Sequence, residues 1–187
     1  MASMMGALDG ISVPVSVSGP HTGTVVVLLA EDKRAPATYD GVCGRLHNAL
    51  LRTVVIGADP RLTPKSVLGI LDQLKIPWAV LVGDRAGAEL AWELAATTLG
   101  RFSGMVVVDR GHPRVADIDG AVRDETCPPV EVATTVLMNS IAGRRVADDS
   151  QRYVYGDYRV VDMPAQQAAD DVTAQLITEI ILRASSW

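Results

Sequence analysis

The sequence predicts a single α/β domain in three layers, a mostly parallel sheet with helices on both faces and no cap domain. Three observations carry this. Short runs of β-branched and aliphatic residues recur at 24–29, 53–56 and 105–109, as expected of strands covered on both faces. Stretches with apolar residues at the helical period separate them. Trp78-Ala-Val-Leu-Val-Gly-Asp-Arg-Ala-Gly-Ala-Glu-Leu-Ala91 reads as a buried strand, a tight turn and a helix in immediate succession.

In chain order, residues 1–10 read as a loose start. Ile11, Val13, Val15 and Val17 alternate, which suits an antiparallel edge strand. Gly19-Pro20 marks the turn before the 24–29 strand. A charged loop with Pro36 leads to a helix over 39–50, with Val42, Leu46, Ala49 and Leu50 on one face. After the 53–56 strand, Thr63-Pro64 supplies a hydroxyl cap and a first-turn proline to a helix. Its stripe is Val67, Ile70, Leu71 and Leu74. Strands follow at 79–82, 105–109, 132–138 and 158–162, with a helix over 86–98. A last helix over 170–185 presents Val172, Leu176, Ile177, Ile180 and Ile181 to the core.

The chain has 187 residues, 48% hydrophobic and 21% charged, within the range of ordinary globular domains. With aromatics at 4%, the core must be built from Val, Leu, Ile and Ala. A net charge of −5 and the lack of a basic run argue against a nucleic-acid surface. The apolar runs are too short to span a bilayer, and the first residues lack the pattern of a secretory signal. Cys43 and Cys127 fit no metal or redox spacing. They read as reduced thiols of a cytoplasmic protein, with no cofactor and no metal expected.

Gly83-Asp84-Arg85-Ala86-Gly87 has the glycine spacing of the G-x-S-x-G nucleophile elbow. With the strands at 24–29 and 104–109, Val54-Val-Ile-Gly-Ala-Asp59, the helix over 66–74 and the terminal strand and helix, the chain resembles the α/β-hydrolase family over nearly its whole length. That resemblance implies a serine nucleophile, an acid and a histidine in that order. The nucleophile position holds Arg85, a permanent cation. The acid position reads Asn139-Ser-Ile-Ala-Gly143, and the histidine position Met163-Pro-Ala-Gln-Gln-Ala168. His21, His47 and His112 all lie too early in the chain. Matching by position puts Ala30, Glu31 and Asp32 in the oxyanion loop.

These departures motivate the candidate residues. Asp32, or Glu31, is expected to pair with Arg85 across the former active site. Arg85 and Ala86 at the helix start also suit a small anionic ligand. Asp84 is a catalytic candidate, as the nucleophile of a turn shifted in register by one residue. His112 is another, with Asp109 as its partner in acid–base work. Asp148-Asp149 and Asp170-Asp171 lack metal-ligand spacing, and the second pair suits a helix start. Trp92 reads as core and Trp187 as a residue free to meet a partner chain. The connection between the strands at 105–108 and 132–138 is too short for a folded cap. The expected function is that of a pseudo-enzyme binding a partner protein or a small acidic ligand. The alternatives are a hydrolase of small esters using unorthodox residues, and a structural subunit that self-associates.

Overall fold

The computed structural model describes residues 2–7, 9–163 and 169–185. Its centre is one sheet of eight strands: β1 (Ala2–Gly6), β2 (Ser12–Ser18), β3 (Val25–Leu29), β4 (Arg52–Ile56), β5 (Ala79–Asp84), β6 (Phe102–Val108), β7 (Ala133–Met138) and β8 (Tyr158–Asp162). Their spatial order is β1-β2-β4-β3-β5-β6-β7-β8. β1 and β2 run antiparallel to their neighbours, and every pairing from β4 to β8 is parallel. The order reverses between β4 and β3, so the β3–β5 pair occupies the middle of the sheet.

Among the described residues, five α-helices complete the layers: α1 (Asp40–Asn48), α2 (Pro64–Gln73), α3 (Ala86–Thr97), α4 (Ile141–Ser150) and α5 (Ala169–Ala184). Alternate strand residues divide the core in two, because successive side chains point to opposite faces. On one face Val27, Leu29, Ile56, Leu81 and Val107 pack with Ile70 of α2, Trp92 of α3 and Ala147 of α4. On the other, Val26, Leu28, Val55, Val82 and Val106 pack with Leu46 of α1 and Ile180 of α5. Each buried Val, Leu or Ile among these contributes about 1.5–3 kcal/mol, so both faces hold the sheet in place.

Local signals act as read at α2. The Thr63 hydroxyl accepts the Ser66 N–H at 3.2 Å, and Ser66 Oγ accepts the Thr63 N–H at 3.1 Å. Trp92 is fully buried and donates its indole N–H to the Arg110 carbonyl at 3.1 Å. Between β6 and β7 the chain forms neither helix nor strand, so no cap stands over the sheet.

Four expectations need correction. Residues 2–6 are a strand rather than a loose start. They pair with β2, which is therefore flanked on both sides instead of forming the edge. The helix expected over 39–50 stops at Asn48 because Leu50 takes a positive φ of 61°. Leu50 is accordingly exposed rather than core-facing. The region after β7, to which the sequence reading assigns no element, is a helix capped by Ser140, whose hydroxyl accepts the Gly143 N–H at 3.0 Å. In α5, Ile177 and Ile180 are buried as expected. Val172, Asp170-Asp171 and Trp187 lie outside the described side chains.

Candidate functional site

The turn from β5 into α3 forces the site into existence. Arg85 sits at φ 47° and ψ −99°, a sparsely populated region that costs a non-glycine residue about 1–3 kcal/mol. The surrounding glycines are sterically required. A Cβ at Gly83 would approach Ala88 Cα to 2.5 Å, and one at Gly87 would approach the Leu29 carbonyl oxygen to 2.1 Å. The Arg85 N–H is held by the Val108 carbonyl at 3.2 Å. The turn thus lifts one side chain above the C-terminal edge of the sheet, between the ends of β3 and β6.

That side chain is met by carboxylates. Arg85 Nη1 lies 2.9 Å from Glu31 Oε2 and 3.5 Å from Asp84 Oδ1, and Arg85 Nε lies 3.5 Å from Asp109 Oδ2. Burial works against the guanidinium charge, yet Asp84, Glu31 and Asp109 together raise its pKa. Glu31 is shared with Arg34, whose Nε stands 2.5 Å away. Asp109 itself adopts a positive φ of 56° at the end of β6. Its carboxylate accepts the Asn139 backbone N–H at 3.0 Å and the Asn139 side-chain amide at 2.7 Å. Burial pushes the Asp109 carboxyl above its ordinary value, against the pull of Asn139 and Arg85.

Tyr39 ties the loop to the elbow. Its hydroxyl donates to Asp84 Oδ2 at 2.8 Å and accepts the Glu31 N–H at 2.9 Å. Burial holds its phenol well above the ordinary range, so it stays a neutral donor at any physiological pH.

The structure brings Arg85, Glu31, Asp84 and Asp109 together. Of the two proposed partners of Arg85, Glu31 makes the contact. Asp32 is exposed and instead lines, with Ala86, a cavity of about 350 Å³ beside the elbow. His112 stands apart, fully buried in the connection after β6. Its Nδ1 accepts the Arg114 N–H at 3.2 Å, which fixes the tautomer so that Nε2–H donates to the Pro128 carbonyl at 3.0 Å. The ring stacks on Tyr153 and meets Trp92 edge-on. No contact joins it to Asp109, so the expected acid–base pair does not form among the described residues. His47 bonds to Thr53 at 2.9 Å at the opposite end of the sheet, and His21 is exposed. Among the described residues, no group of His, Cys, Asp and Glu is arranged to hold a metal ion.

Sequence reasoning missed Tyr39, Arg34 and Asn139. Arg34 lies three residues from Glu31 in a plainly charged loop, a local signal. Nothing local joins Tyr39 to Asp84 or Asn139 to Asp109, because those partners meet through sheet topology.

No protein-family profile and no curated protein sequence matches the chain. Solved structures do. An esterase from Exiguobacterium antarcticum superposes with a TM-score of 0.78 at 13% identity, covering 99% of this chain and 100% of that one. Epoxide Hydrolase A from Mycobacterium thermoresistibile gives 0.75 at 12% identity, covering 95% and 97%. An epoxide hydrolase from Vigna radiata gives 0.75 at 13%, covering 97% and 98%. The fold is the α/β-hydrolase fold. At these identities the likeness concerns the fold alone. Within the α/β-hydrolase fold, Arg85 occupies the tip of the strand-to-helix turn, and the β6–β7 connection crosses without a cap. No helix among the described residues is long and apolar enough to cross a membrane.

Proposed function

We propose that this chain is a catalytically degenerate α/β-hydrolase-fold protein, one that binds a partner protein or a small acidic ligand at the elbow instead of cleaving a substrate there. The observation behind this reading is the Arg85–Glu31 contact of 2.9 Å at the tip of the turn. A guanidinium has no lone pair to offer a carbonyl. Three carboxylates around it oppose the negative charge that an acyl-transfer transition state must accumulate. Among the described residues its ion-pair contacts run through Nη1 and Nε, which leaves Nη2 to meet a bound carboxylate. An acidic ligand would compete with Glu31 for the cation, so a partner presenting several polar groups fits better than a lone small anion. A second copy of the chain qualifies as such a partner. A cytoplasmic setting, without nucleic acid or membrane, belongs to the same reading.

A second reading is a hydrolase of small esters. The names of the structural neighbours, an esterase and epoxide hydrolases, favour it. Asp84 is then the residue to watch, since it adjoins the turn and is oriented by Tyr39. The neighbours lean toward hydrolysis and the residues at the turn lean away from it.

The discriminating experiment is turnover of short-chain chromogenic esters by the purified chain, beside Arg85→Ala and Asp84→Ala. The binding reading expects no rate above buffer in any of the three. Activity that persists through purification and falls in Asp84→Ala would establish the hydrolase reading.

A further inference from the structure

Beside the elbow, and not including Arg85, lies a cavity of about 350 Å³. Its size is at the lower end for small-molecule sites, ~300–1,000 Å³. The floor is apolar: Leu29 and Ile56, at the C-terminal ends of adjacent parallel strands, are 2% and 0% exposed. One wall is a stripe of α3 in which Ala86, Glu89, Leu90 and Glu93 fall at helical spacing on the same face. The opposite wall comes from the loops after β3 and β4, which contribute Asp32 and Asp59.

The charges of this lining have one sign. Four carboxylates face the cavity and no lysine, arginine or histidine does. Two of the four are already neutralised. Asp59 accepts Arg61 Nε at 3.0 Å and Nη2 at 2.8 Å, and Glu89 receives Arg110 and Arg123 at 2.8 and 3.1 Å. Neither Asp32 nor Glu93 forms an ion pair among the described residues, although Arg123, paired with Glu89, also acts on Glu93 at longer range. Part of Glu93 reaches solvent, yet the surrounding protein still pushes its carboxyl above the ordinary value. The N-terminus of α3, at Ala86 and Gly87, opposes these charges with roughly half a positive charge. Two carboxylates without an ion pair outweigh it.

We propose that the cavity between α3 and the loops after β3 and β4 binds a small organic ammonium compound, its cation between Asp32 and Glu93 and its apolar body on Leu29, Ile56 and Leu90. The apolar floor excludes a bare metal ion as the natural occupant, and the carboxylates disfavour an organic acid. The ammonium group supplies the direct ion-pair partner that neither of these two residues has among the described residues. The inference goes beyond the reading of the elbow and does not depend on it. It is read by binding, whereas the elbow is read by turnover, so either can fail alone.

The test is a titration of the isotope-labelled protein with cyclohexylammonium, followed by amide shifts, with cyclohexanol and cyclohexanecarboxylate as matched probes. The expected result is saturable shifts at Ala86, Gly87 and Leu90 with the ammonium, at least tenfold stronger binding than the alcohol, and none with the carboxylate. Affinity should fall with added salt, and at least tenfold in the Asp32→Asn, Glu93→Gln double variant. Both positions are exposed, so that variant keeps the native spectrum. If it does not, the single Asp32→Asn variant gives the same comparison. The proposal is overturned by the absence of saturation, by equal binding of alcohol and ammonium, by tighter binding of the carboxylate, or by an unchanged affinity in the variant.

Discussion

Arg85 and Glu31, 54 positions apart in sequence, meet at 2.9 Å where the turn after β5 faces the loop after β3. Neighbouring strands bring them together: Leu29 pairs with Gly83 in the parallel β3–β5 ladder. Two residues further along each strand, the cation and the carboxylate stand opposite each other. The contact follows directly from the sheet register.

This relationship sets an order of stabilities. The pair is partly solvated, with side-chain exposures of 35% and 23%, so it is worth about 1 kcal/mol rather than the value of a buried ion pair. Glu31→Ala should destabilise the fold by about that amount. Asp32→Ala should stay within about 0.5 kcal/mol, as exposed substitutions usually do. Urea unfolding of both variants, with Arg85→Ala and the double variants, measures the coupling. A larger cost for Asp32→Ala than for Glu31→Ala would contradict the assignment.

The glycines of the elbow make a sharper prediction. Gly87→Ala would put a methyl 2.1 Å from the Leu29 carbonyl oxygen, backbone that cannot step aside. The expected loss is at least about 3 kcal/mol, the upper end of overpacking costs. Gly44, inside α1, has open space around its would-be Cβ. Gly44→Ala should therefore stabilise by up to about 1 kcal/mol through backbone entropy alone. Thermal unfolding of the two variants should shift in opposite directions.

His112 gives the fold a pH dependence. Burial lowers its pKa below the ordinary 6.5, so between its folded value and 6.5 the unfolded chain binds more protons than the folded one. Stability then rises with pH across that window and is lost as pH falls below 6.5, by at most about 1.4 kcal/mol per pH unit. Asp109, whose pKa is raised, has the opposite sign but acts in a more acidic window above 3.8. His112→Gln should flatten the slope just below pH 6.5, as read by denaturant midpoints at pH 7 and 5.5. An unchanged slope would mean that another group carries it.

Much of the fold was legible because its signals are local. The runs at 24–29 and 53–56 are apolar on both faces, and Thr63-Pro64 announces its helix. The glycine spacing at 83–87 marks the turn without any tertiary information. α4 escaped because its pattern is weak: Ile141 is exposed, and Ala147 is its buried apolar residue. β1 escaped because Ala2–Gly6 becomes a strand by pairing with β2, not through the propensity of its serine and glycine. At the site, Arg85 and its acidic surroundings were readable. The choice of Glu31 over Asp32, and the supports from Tyr39 and Asn139, depend on where strand ends lie relative to each other. That information resides in register.

The most direct test of the account is whether the elbow can form a covalent intermediate. The chain would be incubated with a reactive short-chain ester, quenched during incubation, and examined by intact-mass and peptide spectrometry. With Arg85 held by Glu31 at the tip of the turn, no acyl adduct is expected in the peptide containing Asp84 and Arg85. An adduct on Asp84 that forms at a rate matching turnover, and disappears in Asp84→Ala, would show that the turn still carries a working nucleophile.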